Sequence, residues 1–322
     1  MDKEFLKYNQ QMRYLRGKKN IGCDGTTDKI ILCRSGYFNL INGYKEPFVS
    51  RMNGDDHIYI KGTTIKQLYQ VKKFDDELRM HLLKYITMVE EEVRTLVGYK
   101  FDEINNQGKI EWYSVNAYGD SNNAQQIVKV ISDSFQEVHR SQQAYIQHYL
   151  DKHKYVPTWI MIKVIKFSTF IDFIECSKKE VKDSICDLYQ IKNASGKNDY
   201  KTLIGSLHWL RKTRNSCAHN ERIYGIHRSD GRINTLYHKL LPKSYTRERD
   251  QKLIDLIIYM RYYLSDRDYK KFISEIIDLL KELESNINSH SYNKVRADIG
   301  IKNIQDLEVL VTNKKKIEYN KF

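Results

Sequence analysis

Apolar residues recur at steps of three and four through much of this chain, and those steps predict helices. The longest run joins Leu78, Leu82, Ile86, Val89, Val93 and Leu96 into one stripe, because residues three or four apart share a helix face. Glu90 and Arg94 stand four apart in the order that favours an ion pair. Upstream, residues 1–25 are polar and read as an extended arm or short helix. Thr27 or Asp28 can cap a helix through Ile31, Leu32 and Tyr37. The turn-rich stretch 43–61 fits one or two short strands or a flexible loop. After a polar connection over 105–123, helical spacing returns at Ile127, Val130, Ile131, Phe135 and Val138. Pro157 suits the first turn of a helix whose stripe is Ile160, Val164, Phe167, Ile171 and Ile174. Ser177 and Glu180 have the spacing of a capping box before Val181, Ile185 and Leu188. Asp199 can cap a helix from Tyr200, and two more fit 253–264 and 272–283.

The pattern predicts an all-α protein: a helical domain over 61–290, a basic arm and helical segment over 1–60, and a polar appendage over 291–322 carrying Lys314, Lys315 and Lys316. Composition agrees. With 3 prolines and 15 glycines in 322 residues, the chain lacks the turn residues that a large all-β fold needs. Its length suffices for a substantial core, and a mean hydropathy of −0.64 describes a globular, non-membrane chain. The most apolar stretch, 159–174, is interrupted by Lys163, Lys166 and Asp172, so no membrane span is expected. Met1-Asp2-Lys3-Glu4 does not open a signal peptide. Five cysteines without a CxxC pair indicate neither a zinc site nor a disulfide framework; a reducing cytoplasm fits, and no metal or cofactor is expected.

Charge narrows the partners. The formal net charge is +13, a field that attracts phosphates, although a lysine-rich solvated surface gives the same total. In the N-terminal arm Lys3, Lys7, Arg13, Arg16, Lys18 and Lys19 outnumber the acids. The 24 tyrosines can stack on bases or fill a core.

The helix from Tyr200 carries the chemistry. Its stripe runs Leu203, Leu207, Leu210, and the next places in that register are Arg214 and Cys217. An arginine there must be paired or must face a cleft. Asn215 and His219 share a face, Arg222 follows three beyond His219, and Arg211 and Lys212 add charge one turn upstream. His208 stands near them. Histidine can take a proton from a ribose 2′-OH at neutral pH, and arginine's fork fits the phosphate that the 2′-oxygen attacks. Asn215 can orient the imidazole or hold a ribose oxygen. On an ideal helix Arg214 and His219 lie roughly 140° apart, so two copies of the helix across a symmetric interface would present them together, which predicts a homodimer. Spacing alone does not separate this reading from a chance R-x4-H.

The run Leu210-Arg211-Lys212-Thr213-Arg214-Asn215-Ser216-Cys217-Ala218-His219-Asn220-Glu221-Arg222 closely resembles the RN-x-x-AH-x-x-R signature of the Abi-like (AbiD/AbiF) abortive-infection proteins of the HEPN superfamily. Other blocks match in order. Residues 35–44 (Ser-Gly-Tyr-Phe-Asn-Leu-Ile-Asn-Gly-Tyr) are similar to the family's tyrosine-rich segment, and Phe74-Asp75-Asp76-Glu77-Leu78-Arg79 resembles its FD-x-x-LR block. Glu90 and Arg94 fall at its E-x-x-x-R, and Pro157-Thr158-Trp159 at its P-x-W. The likeness spans about residues 27 to 222. It implies a HEPN-type helical bundle, a toxin-like role against bacteriophage, and metal-independent RNA cleavage. Arg214 and His219 would be catalytic with Asn215 beside them, and Arg211, Lys212 and Arg222 would bind RNA. It also implies restraint by a structured non-coding RNA. Two alternatives remain open: a non-catalytic RNA-binding protein, and a protein-interaction module with an incidental basic surface.

Overall fold

The computed structural model describes residues 5–53, 56–105, 107–119, 124–229, 234–247 and 250–312. Lys314, Lys315 and Lys316, and the first four residues of the basic arm, lie outside that set. Among the described residues the architecture is all-α, with two small antiparallel sheets.

Where an arm or short helix was expected, α1 (Tyr8–Lys19) forms and tucks Met12 and Leu15 inward. Helix α2 (Gly25–Ser35) starts earlier than Thr27, and Asp28 reaches back from its first turn to accept the Asp24 N–H at 2.8 Å. A π-helical turn, Phe38–Asn42, leads to a hairpin of β1 (Val49–Asn53) and β2 (Asp56–Tyr59). Thr64 and Gln67 then form a reciprocal capping box that opens α3 (Ile65–Ile104). At 1.5 Å per residue α3 runs for about 60 Å, far past both ends of the stripe legible in the sequence. Leu68, Val71, Phe74, Leu78, Leu82, Ile86, Val89, Val93 and Val97 are buried along it.

The polar connection after α3 is pinned by two aromatics. Trp112 Nε1 donates to Val156 O at 2.7 Å, and the Tyr118 hydroxyl to Trp112 O at 2.6 Å. Helices α4 (Ala124–Arg140) and α5 (Ala144–Lys152) follow. The single helix expected after Pro157 is two: α6 (Thr158–Val164) and α7 (Phe167–Cys176). Ile165 and Lys166 between them are extended. The groups freed by the break find distant partners. Glu137 of α4 accepts from the Lys166 N–H at 2.6 Å and from Thr169 Oγ1 at 3.0 Å.

The expected Ser177–Glu180 capping box does not form. Ser177 Oγ donates backwards to Phe173 O, and Lys178 takes the N-cap of α8 (Lys179–Tyr189). Helix α9 (Tyr200–Ala218) begins at Asp199, which accepts from Thr202 N at 3.0 Å and Thr202 Oγ1 at 2.7 Å. A second sheet, β3 (His227–Arg228) with β4 (Gln251–Lys252), precedes α10 (Leu253–Tyr263), every residue of which is buried. Helices α11 (Asp266–Asn286), α12 (Ser289–Ile299) and α13 (Ile304–Thr312) close the chain, with Leu307 and Leu310 of α13 buried. Helix α3 is the spine against which α6, α8, α9 and α11 pack, and α9 sits among α3, α7, α8 and α10. No helix of the described residues is long and apolar enough to cross a membrane.

Candidate functional site

Leu203, Leu207 and Leu210 are fully buried, as their spacing demands, and Thr213 and Cys217 continue the buried side of α9. Arg214 therefore emerges at the rim, its side chain 40% exposed. Burial pushes the Cys217 thiol up to about 12, which leaves it no nucleophilic thiolate near neutral pH.

Arg214 faces a cleft of about 1000 Å³ between α3 and α6, whose walls include Glu90, Arg94, Tyr99, Trp159 and Lys163. Its Nε lies 3.6 Å from Glu90 Oε2, and its Nη1 donates to Asn215 Oδ1 at 3.3 Å. Glu90 is itself held. Its Oε1 accepts from Arg94 Nε at 3.1 Å and Nη2 at 2.8 Å. Arg94 donates to Ile162 O at 2.6 Å and rests over the Phe170 ring at 4.7 Å. The ion pair read from the E-x-x-x-R spacing is thus a bracket, and its second carboxylate oxygen faces Arg214.

His219 occupies the C-cap of α9 and is exposed. Beyond it the helix closes in a Schellman arrangement. The Glu221 N–H reaches Ser216 O at 3.0 Å and the Asn220 N–H reaches Cys217 O at 3.2 Å, with Asn220 left-handed at φ 58°. Two residues of α3 clamp this closure. Arg79 donates to Asn220 Oδ1 and to Asp76. Asp75, fully buried, accepts from Ile223 N (3.0 Å), Tyr224 N (2.8 Å) and the Tyr44 hydroxyl (2.9 Å). Burial pushes the Asp75 carboxyl up, and the two amides, the Tyr44 hydroxyl and Arg79 pull against that rise. Three blocks far apart in sequence therefore meet behind His219.

The helix face bearing His219 lines a second groove of about 580 Å³ with His208, Arg211, Asn215, Arg228 and Ser229. Lys212 borders it and donates to His227 O at 2.6 Å. Arg211 Nε is buried without a hydrogen-bond acceptor among the described residues. His208 is held below the usual imidazole range by burial first, then by Arg211 and Arg228.

The sequence-derived set is divided by this geometry. Asn215, His219, Arg211 and Lys212 share the groove, whereas Arg214 faces the cleft on another side of α9. Arg222 lines neither; it donates to Gly43 O at 3.0 Å and lies over the Tyr224 ring. The sequence reading missed Arg228 as a groove residue, Asp75 and Arg79 as the clamp, and Glu90 as a partner of Arg214. The FD-x-x-LR block was the one signal for the clamp, and nothing in its spacing says what it holds. Among the described residues no cluster of three or more His, Cys, Asp or Glu side chains is placed to share a metal ion.

Comparison with known families shows a match to the family described as Abi-like protein over residues 30–225, more than half of the chain. No curated protein and no solved structure matches the chain.

Proposed function

This chain belongs to the Abi-like protein family, and from that premise we propose that it is a metal-independent RNA endonuclease, a toxin-like effector of abortive infection. The observation that carries the proposal is the exposed His219 in a groove whose lining also holds His208, Arg211, Lys212, Asn215 and Arg228, against a single carboxylate among the described lining residues, Glu221, which accepts from Ser216 Oγ at 2.6 Å. Such a groove attracts a phosphodiester strand and offers it an exposed imidazole.

In the proposed reaction His219 removes the proton from a ribose 2′-OH. The 2′-oxygen attacks the adjacent phosphorus, the 5′-oxygen of the next nucleotide departs, and it collects a proton from an imidazolium or from water. Arg214 stabilises the charge on the phosphoryl oxygens, and Asn215 orients the groups between them. Because Arg214 and His219 point to different sides of one helix, the arginine at each groove is assigned to a second copy of the chain. The exposed face of α3 supports that assignment. Met80 (68% exposed) and Met88 along α3, and Tyr99 and Trp159 on the walls of the Arg214 cleft, leave large apolar side chains uncovered. A HEPN-type arrangement and restraint by a structured non-coding RNA belong to the same reading. Sequencing the RNA that co-purifies with the chain tests the restraint.

Cleavage of single-stranded RNA by the purified protein in EDTA tests the activity. Arg214→Ala and His219→Ala are each expected to lower the rate by about 10²-fold or more with helix content unchanged; full activity in both variants removes the proposal. The divergence of Arg214 and His219 within one chain also favours a second reading, a non-catalytic RNA-binding protein. That reading predicts salt-sensitive binding and no turnover.

A further inference from the structure

A third cavity, of about 800 Å³, lies between the first half of α1 and the end of α2. Phe5, Tyr8 and Tyr37 give it aromatic faces, and Lys7, Arg13 and Lys29 give it cations. No carboxylate lines it among the described residues. Among the described residues Lys7, Arg13 and Lys29 make no ion pair either. Phe5 is 84% exposed, and Phe38, just past Tyr37, is 74% exposed.

Solvent-facing aromatics between unpaired cations suit a ligand with flat apolar faces at intervals along a polyanionic chain. A single nucleic-acid strand has that form: its unpaired bases stack on rings while its phosphates meet lysine and arginine. A duplex has its bases already stacked. An acidic peptide would use the cations and leave the rings in water, and the concave wall fits a strand better than a flat bilayer. The segment from Tyr37 to Gly43 joins the cavity to the end of α9, because Arg222 donates to Gly43 O.

We propose that the α1–α2 groove is a second, non-catalytic binding track for single-stranded RNA, with bases on Phe5 and Tyr8 and phosphates on Lys7, Arg13 and Lys29. It rests on the proposed function only for the choice of RNA over DNA.

The test uses the full chain carrying His219→Ala and a labelled single-stranded RNA of about twelve nucleotides, enough to cover a site of this kind, titrated across a salt series. The combined Lys7→Gln, Arg13→Gln and Lys29→Gln variant is expected to lower the slope of log affinity against log salt by about 2, from three lost phosphate contacts. Phe5→Ala with Tyr8→Ala is expected to weaken binding by about tenfold or more at an unchanged slope. Both variants should retain the parent's helix content, since Phe5, Lys7, Tyr8 and Arg13 are exposed and the half-buried Lys29 keeps part of its aliphatic stem as glutamine. An unchanged slope and affinity overturns the proposal, as does loss of binding to anionic lipid vesicles in place of RNA. Equal loss with single-stranded DNA of the same length is expected as well, since bases and phosphates are common to both strands, whereas equal loss with a duplex of that length overturns the single-strand assignment. Because His219 is already replaced, absence of cleavage does not enter the result. In the active chain, cleavage of a dinucleotide too short to reach the groove should be unaffected by either set.

Discussion

Around His219 the backbone is already leaving the helix, and its course depends on side chains more than a hundred positions away. Asp75 accepts from two amide N–H groups directly beyond the closure, and unpaired buried donors cost about 1–3 kcal/mol each. Asp75→Ala is therefore expected to lower the unfolding free energy by about 2–5 kcal/mol, read by urea denaturation. Asp75→Asn, which keeps a carbonyl acceptor, should lose less. His208 offers a subtler readout. Burial and the cations of Arg211 and Arg228 depress its titration, so Arg211→Gln should move its midpoint upward toward the ordinary imidazole value, followed by NMR. The sign for stability follows. On acidification below the ordinary value the unfolded chain takes the proton first, so the stabilisation linked to neutral His208 is lost as pH falls through its depressed folded value.

Among the elements, those governed by local periodicity were legible and those governed by distant partners were not. The cap at Asp199 and the stripe of α9 could be read directly, because each is settled within a few residues. The break between α6 and α7 could not, since Glu137 of α4 captures the Lys166 N–H and makes two short helices as well satisfied as one long one. Ser177 satisfied the spacing rule of a capping box yet donates to Phe173 O, so the matching motif served another bond. The same division holds for the candidate site. The motif on α9 stands in the sequence, whereas the links from Asp75, Arg79 and Glu90 join residues whose separation carries no pattern. Removing the captured cap tests this view. Glu137→Ala is expected to cost about 1 kcal/mol, seen as a lowered thermal midpoint, with the frayed start of α7 exchanging its amide hydrogens faster.

For the whole molecule the central question is how many chains complete one site. If each groove takes its arginine from a second copy, inactive Arg214→Ala and His219→Ala chains should restore each other when mixed. Half the resulting dimers would be mixed, each with one intact site, so about a quarter of the parent's rate should return. No recovery after exchange of subunits would place both groups in a single chain.

The forty-residue α3 gives that assembly a mechanical character. Arg79 fixes the histidine end of α9 and Glu90 addresses its arginine, and both project from one uninterrupted rod. His219 and Arg214 are thereby set from a common ruler, eleven residues or about 16 Å between its marks. If each groove takes its arginine from a second copy, one chain's rod sets one group in each of two sites, so twisting a single α3 is expected to disturb both sites of a pair together.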